Sequence, residues 1–255
     1  MARGKTRKVA KNITWYEALD IVRPHVVRIS TPRGSGTGFL VTFSKTKSIC
    51  GIATAAHVID HAHYWEEPIR IDHIDSGESL LIREPQRAIF LDPSQDTAAI
   101  LFAKNNLPFP TDTLPLAPEK MYLRVGNDIG WLGFPAISQA GLCFFGGRVS
   151  AWLQDREAYL VDGVAINGVS GGPAFHLAGD RVVIMGVVSA YIPNRATGEA
   201  LPGLGMIRSV KQFHELAPTF KSLDEAKTKE SPPASVPPPP ETDVKPDVPS
   251  SKRST

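Results

Sequence analysis

From residue 26 onward the sequence is built of short β-branched and aromatic runs cut by turn-forming residues. Val26-Val27-Arg28-Ile29, Gly38 to Phe43 and Ile49-Cys50-Gly51-Ile52-Ala53 come first, separated by Gly, Pro, Ser or Lys. Ala98 to Phe102, Ile129 to Phe134 and Val182 to Val188 repeat the pattern. Runs of this length and composition, bounded by turn residues, read as strands. Helical periodicity is confined to Tyr16 to Val22 and Ser209 to Leu216. Without long helices between the strands, βαβ units are excluded and an all-β sandwich or pair of barrels is expected. A chain of 255 residues with 42% hydrophobic and 21% charged residues is an ordinary globular chain with room for one large or two small domains.

The two ends differ from this body. Five cations (Arg3, Lys5, Arg7, Lys8, Lys11) stand in the first eleven residues without an acid among them. Residues 221–255 hold eight of the 22 prolines, four of them consecutive at Pro237 to Pro240, among Ser, Lys, Asp and Glu. Such segments cannot bury enough apolar surface to offset their ordering entropy. Residues 1–12 are therefore expected to form a disordered basic arm and 221–255 a disordered, partly polyproline II tail. With +2 overall and a balanced tail, the body carries −3, so no nucleic-acid partner is expected. The basic start leads into Ile13-Thr14-Trp15-Tyr16-Glu17 rather than an apolar run, so no secretory signal is expected. No run reaches the length of a membrane span, and a cytoplasmic location away from membranes is the expectation. Cys50 and Cys143 permit one bridge at most; two separate buried thiols are expected.

Three segments can carry chemistry together. Thr54-Ala55-Ala56-His57 puts a histidine behind small residues at a strand end, Asp96 leads into the buried run Thr97 to Leu101, and Gly168-Val169-Ser170-Gly171-Gly172-Pro173 sets a serine in a glycine-rich turn. Serine is a poor nucleophile until a base takes its proton, and the base needs an acid to fix its tautomer. Glycines beside the serine let two backbone N–H groups converge on one oxyanion. The order His, Asp, Ser is that of chymotrypsin-like enzymes and not of subtilisins or α/β-hydrolases.

On these residues the sequence resembles the trypsin/chymotrypsin-fold serine peptidases, and within them the bacterial trypsin-like and HtrA-type proteases. The resemblance covers about residues 25–215 and extends to Gly34 to Phe39, Gly133-Phe134-Pro135, Gly147 to Ser150, Ala165-Ile166-Asn167 and Gly203 to Ile207. It implies an all-β fold of two packed antiparallel six-stranded β-barrels, with short helices near the N-terminus and at the C-terminal end. The peptidase domain would run over 13–220, with barrel one at about 25–115 and barrel two at about 116–208.

By the same resemblance Ser170 is the nucleophile, His57 the base and then the acid, and Asp96 the residue that orients His57. The N–H groups of Gly168 and Ser170 form the oxyanion hole. Val164, Ala165 and Ile166 wall the pocket ahead of the serine, and Ser189, Ala190 and Tyr191 form the edge strand that pairs with a peptide or protein substrate. No carboxylate among the wall residues could pair with Lys or Arg, so an apolar residue before the scissile bond is expected. Amine-activated zymogens carry an acid immediately before the serine; Val169 stands there, so no such activation is expected. No PDZ domain fits after residue 220, and an adaptor or partner protein would then supply targeting. The serine turn is one residue shorter than the HtrA pattern.

Three other readings use the same residues. Gly168 to Gly172 also fits the α/β-hydrolase elbow, but that needs a helix after the serine, and Pro173 opposes it. His57, His61, His63 and His73, with Asp60 and Asp72, could ligate zinc; the expectation is no metal and no cofactor, with His61 and His63 on an exposed loop. A catalytically silent peptide-binding module, tethered by the Pro-rich tail, is the alternative to an enzyme.

Overall fold

Thr14 and Glu17 start the first helix. Thr14 Oγ1 accepts the Glu17 N–H at 3.2 Å and a Glu17 carboxylate oxygen accepts the Thr14 N–H at 2.9 Å, a capping box that satisfies two otherwise free donors. The helix, α1, is Trp15–Val22. The structure is a computed structural model that describes residues 12–137, 141–193, 200–216, 218 and 220, with 190–193 and 200–202 described through their backbone alone. The basic arm up to Lys11 and the Pro-rich tail lie outside the described residues.

The first sheet contains β1 (Val26–Thr31), β2 (Gly34–Phe43), β3 (Ile49–Thr54), β4 (Ile69–His73), β5 (Glu78–Ile82), β6 (Arg87–Asp92) and β7 (Thr97–Ala103). Their order is β5-β4-β1-β2-β3-β7-β6, and the pairs are antiparallel. A helix, α2 (Ala56–Tyr64), follows β3. The second sheet contains β8 (Asp128–Gly133), β9 (Cys143–Leu153), β10 (Ala158–Asp162), β11 (Pro173–Ala178), β12 (Arg181–Pro193) and β13 (Ala200–Ser209). These six close into a barrel in the order β10-β13-β12-β11-β8-β9. A 3₁₀ turn, Val210–His214, follows.

The chymotrypsin-like pair of barrels is therefore present, with one difference from the six-stranded expectation. The first is a curled seven-stranded sheet whose edges, β5 and β6, do not pair. Between them the chain turns through a short 3₁₀ segment, Glu84–Gln86, and Pro85 has no N–H to begin a ladder. Arg87 holds the seam instead, donating to the carbonyls of Ile82 at 3.3 Å and Ala62 at 2.9 Å.

Neighbouring residues of one strand serve two cores because side chains alternate between faces. Leu40 of β2 joins Val27, Ile29, Ile52, Ile71 and Ile100 inside the first sheet. Phe39 and Val41 point the other way and pack with Trp131, Phe175, Ile184 and Ile207 of the second barrel. The contiguous apolar run of β2 thus seals the joint between the barrels. Among the described residues no helix is long and apolar enough to cross a membrane.

Both cysteines are free. Cys50 is fully buried, and burial pushes its thiol up to about 12. Cys143 is only half-buried, contrary to expectation, because it opens β9 at the barrel surface.

Candidate active site

His57 is the second residue of α2. The fully buried Ala55 and nearly buried Ala56 carry β3 into the helix, while the His57 side chain keeps 47% of its exposure. Ala56, Ile59 and Ala62 form the buried stripe of α2 and carry the helix on for two turns. His61 and His63 therefore lie on a helix rather than on the expected loop, and His61 Nδ1 meets Glu67 Oε2 at 3.0 Å.

Asp96 closes the turn between β6 and β7. Asp92 builds that turn, its carboxylate accepting the N–H groups of Ser94 at 3.0 Å and Gln95 at 3.2 Å. Asp96 itself has φ +49°, a left-handed conformation that aspartate tolerates better than most residues. In this pose its carboxylate reaches back to the start of α2. The His57 backbone N–H donates to Asp96 Oδ1 at 3.0 Å, and His57 Nδ1 lies 2.9 Å from both carboxylate oxygens. Both oxygens can only accept, so Nδ1 carries the proton and Nε2 keeps its lone pair.

Ser189 completes the environment of this acid. Its hydroxyl donates to Asp96 Oδ2 from a position only 2% exposed. The register of β12 against β13 shifts between Val188 and Ala190, and a bulge of this kind re-aims a side chain. Burial by itself pushes the Asp96 carboxyl up, yet the donors from His57 and Ser189 outweigh it and the net shift is downward. Burial likewise pulls the His57 imidazolium down, but the Asp96 bond and charge, helped by Asp60, raise it overall.

Ser170 sits in the turn before β11. Gly168 and Gly171 have φ of +89° and +88°, values that suit glycine alone. A Cβ on Gly171 would lie 1.9 Å from the Thr37 carbonyl oxygen. The peptide planes of the turn are pinned from their carbonyl sides. Asn167 O accepts from Ala136 N at 2.7 Å, Val169 O from Gly172 N at 3.1 Å and Ser170 O from Thr37 N at 2.8 Å. The N–H groups of Gly168 and Ser170 donate to no backbone carbonyl among the described residues. The Ser170 hydroxyl donates to the Ser189 carbonyl at 3.0 Å, and His57 Nε2 has no hydrogen-bond partner among the described residues.

The remaining sequence-derived residues border this turn. Val164 is 47% exposed; its carbonyl accepts the Trp131 indole N–H at 3.2 Å. Ala165 approaches Gly205 of β13, and the Ile166 carbonyl accepts the Val169 N–H at 3.1 Å. The backbone of β12 pairs with β11 only as far as Val187. Beyond that, Ala190 and Tyr191 pair with Met206 and Gly205 of β13 on one side, and their other edge has no strand partner among the described residues; their side chains lie outside the described residues. Sequence reasoning gave Ser189 a substrate-pairing role and missed its hydroxyl. The available signal was a serine inside the apolar run Val187-Val188-Ser189, since a buried hydroxyl needs an acceptor.

An imidazole bound through Nδ1 to a carboxylate, and a serine in a glycine turn whose Gly168 and Ser170 N–H groups meet no backbone carbonyl among the described residues, are parts that nucleophilic acyl transfer uses. Comparison with known proteins agrees with the architecture. Among curated proteins no sequence matches the chain significantly. In solved structures the fold is similar to the inactive form of the Rv3671c protease, known from M. tuberculosis H37Rv, with 20% identity, 81% of this chain and 95% of that one covered, and a TM-score of 0.55. It is similar to a serine endoprotease from Yersinia pestis at 19% identity, covering 82% of this chain and 66% of that one with a TM-score of 0.59. The HtrA-type protease AlgW, solved with a tripeptide, gives 20% identity, 80% and 62% coverage and a TM-score of 0.59. The family model of the trypsin-like peptidase domain matches residues 36–184, a span that contains His57, Asp96 and Ser170, and this chain belongs to that family.

Proposed function

We propose that the protein is a serine endopeptidase that hydrolyses peptide bonds through Ser170, His57 and Asp96. The observation that carries this reading is the Nδ1–H bond from His57 to Asp96, which leaves the lone pair of Nε2 available, with no partner among the described residues. A substrate peptide adds to the unpaired edge of β12 at 189–191, its main chain supplying the affinity. Ser170 leaves the Ser189 carbonyl and gives its proton to Nε2 as Oγ attacks the scissile carbonyl carbon. The N–H groups of Gly168 and Ser170 receive the oxyanion, a role worth about 3–4 kcal/mol per donor in related chemistry. The imidazolium then protonates the leaving amine, and a water activated by the same nitrogen releases the acyl group.

Val164, Ala165 and Ile166 would contact the residue before the scissile bond and favour an apolar side chain there. Val169 supports activity without cleavage of an N-terminal segment. It is fully buried in the core and presses on Gly133, so the serine turn is anchored by packing where a carboxylate–amine pair would otherwise hold it.

The test is labelling with a fluorophosphonate probe. Wild type is expected to label, and Ser170→Ala and His57→Ala to lose the label. A folded wild type that does not label would favour the silent peptide-binding module. Cleavage of a peptide library after Lys or Arg would sink the apolar preference.

A further inference from the structure

Thr37 lies on β2, in the first sheet, yet two of its polar atoms meet the serine turn of the second barrel. It is completely buried. Its backbone N–H donates to Ser170 O at 2.8 Å, and its hydroxyl donates to Gly168 O at 2.8 Å while accepting the Phe134 N–H at 3.0 Å. Its own carbonyl accepts the Thr54 hydroxyl at 2.7 Å, so the end of β3, three residues before His57, grips the same residue. Gly168 O and Phe134 N have no other partner among the described residues.

We propose that Thr37 is a positioning residue that locks the oxyanion-binding turn of one barrel to the histidine-bearing strand of the other. This rests on the peptidase reading above. The Gly168 carbonyl belongs to the peptide that joins Gly168 to Val169, and that unit lies between the two N–H groups assigned to the oxyanion. Glycine at φ +89° resists rotation of this peptide poorly, so an external acceptor-side clamp is needed. The Thr37 hydroxyl is that clamp. Its second bond, from Phe134 N–H, fixes the hydroxyl rotor so that its proton can go only to Gly168 O. The Thr54 contact ties the clamp to the strand that delivers His57. The joint between the barrels is thereby a positioning device for catalysis as well as a packing surface.

The experiment compares Thr37→Val and Thr37→Ser with wild type in the full chain. Valine keeps the shape and the Thr37 N–H bond to Ser170 O but removes both hydroxyl bonds; serine keeps the hydroxyl. Misplacing one donor by about 1 Å can cost about 100-fold, so Thr37→Val is expected to lower the fluorophosphonate labelling rate and kcat by about 10- to 100-fold. KM is expected to stay within about two-fold, and Thr37→Ser to recover most of the rate. Labelling of a folded Thr37→Val within two-fold of wild type would overturn the proposal, as would equal impairment of both variants. A crystal structure of Thr37→Val separates this from the peptidase reading. If wild type does not label, that reading falls alone, and a Gly168–Val169 peptide that stays in place in Thr37→Val still overturns the clamp, whereas a rotated one supports it.

Discussion

Ser170 Oγ donates to the carbonyl oxygen of Ser189 at 3.0 Å, while the hydroxyl of the same Ser189 donates to Asp96. One bulged residue of β12 thus touches both the proposed nucleophile, Ser170, and the carboxylate of Asp96. The Ser170 hydroxyl rests on a backbone acceptor, and His57, the proposed base, stands 39 residues upstream of Asp96 in sequence but in contact with it in space.

Removing the Ser189 hydroxyl tests its part in this arrangement. Ser189→Ala leaves the backbone carbonyl that Ser170 uses and deletes one donor to Asp96. A hydrogen bond to a charged group contributes about 1.5–3 kcal/mol, so kcat is expected to fall about 10- to 100-fold. Asp96 becomes more basic, and the acid limb of the pH–rate profile moves upward with His57. An unchanged profile with a lower rate would remove the electrostatic explanation.

Activity should rise with pH. In the proposed mechanism His57 is a base only when Nε2 is unprotonated, and Asp96 raises its pKa. The half-maximal point of kcat/KM is therefore expected above the ordinary histidine value of about 6.5. A midpoint below that value would mean that burial outweighs Asp96.

Stability should depend on pH in the opposite sense on the alkaline side. The raised His57 pKa contributes stability that is complete below about 6.5 and is lost as pH rises through the folded value. The lowered Asp96 pKa contributes stability that is complete above about 3.9 and is lost as pH falls through the folded value. The pair stabilises most between about pH 4 and 6.5. The difference in urea midpoint between wild type and Asp96→Asn is expected to peak there; a difference that is flat with pH would contradict it.

Gly171→Ala should be among the most damaging single-methyl changes. The residue has φ +88°, and its Cβ would meet Thr37 O at 1.9 Å and Thr54 Oγ1 at 2.2 Å. Strain and overpacking of this kind each cost about 1–3 kcal/mol. Thermal unfolding should shift down by several degrees, with loss of labelling. A variant as stable as wild type would show that the barrels can separate locally at this joint.

Val169→Asp places a carboxylate immediately before Ser170. An unpaired carboxylate at a fully buried position destabilises strongly or titrates upward. The variant is expected to fold poorly at neutral pH and better in acid. Activity at wild-type level at pH 7 would mean that a cation on this chain reaches the site.

Several of these features are legible in the residues themselves. Alternating and turn-bounded runs identify the strands because side-chain direction in a strand is a local property. The pattern His57, Asp96, Ser170 is legible because each lies in a short segment whose neighbours are small or glycine. Gly168 and Gly171 are legible for the same reason, since a positive φ is set by the residue itself.

Other features depend on partners far along the chain. The sequence marks Ser189 as a residue of a substrate-pairing edge strand and says nothing of its hydroxyl; the slip of β12 against β13 turns that hydroxyl toward Asp96. Thr37 reads as a strand residue, and only the packing of the two barrels makes it a clamp on Gly168. The open seam between β5 and β6, bridged by Arg87, likewise depends on where Ala62 ends up after two turns of α2. Local periodicity and glycine conformations are encoded residue by residue, so the sequence alone determined the strands and the chemistry-bearing segments. Hydrogen bonds between residues about 90 to 130 positions apart, such as Ser189 to Asp96 and Thr37 to Gly168, exist only once both barrels have closed on each other, so the tertiary structure decided which polar groups hold those segments in register.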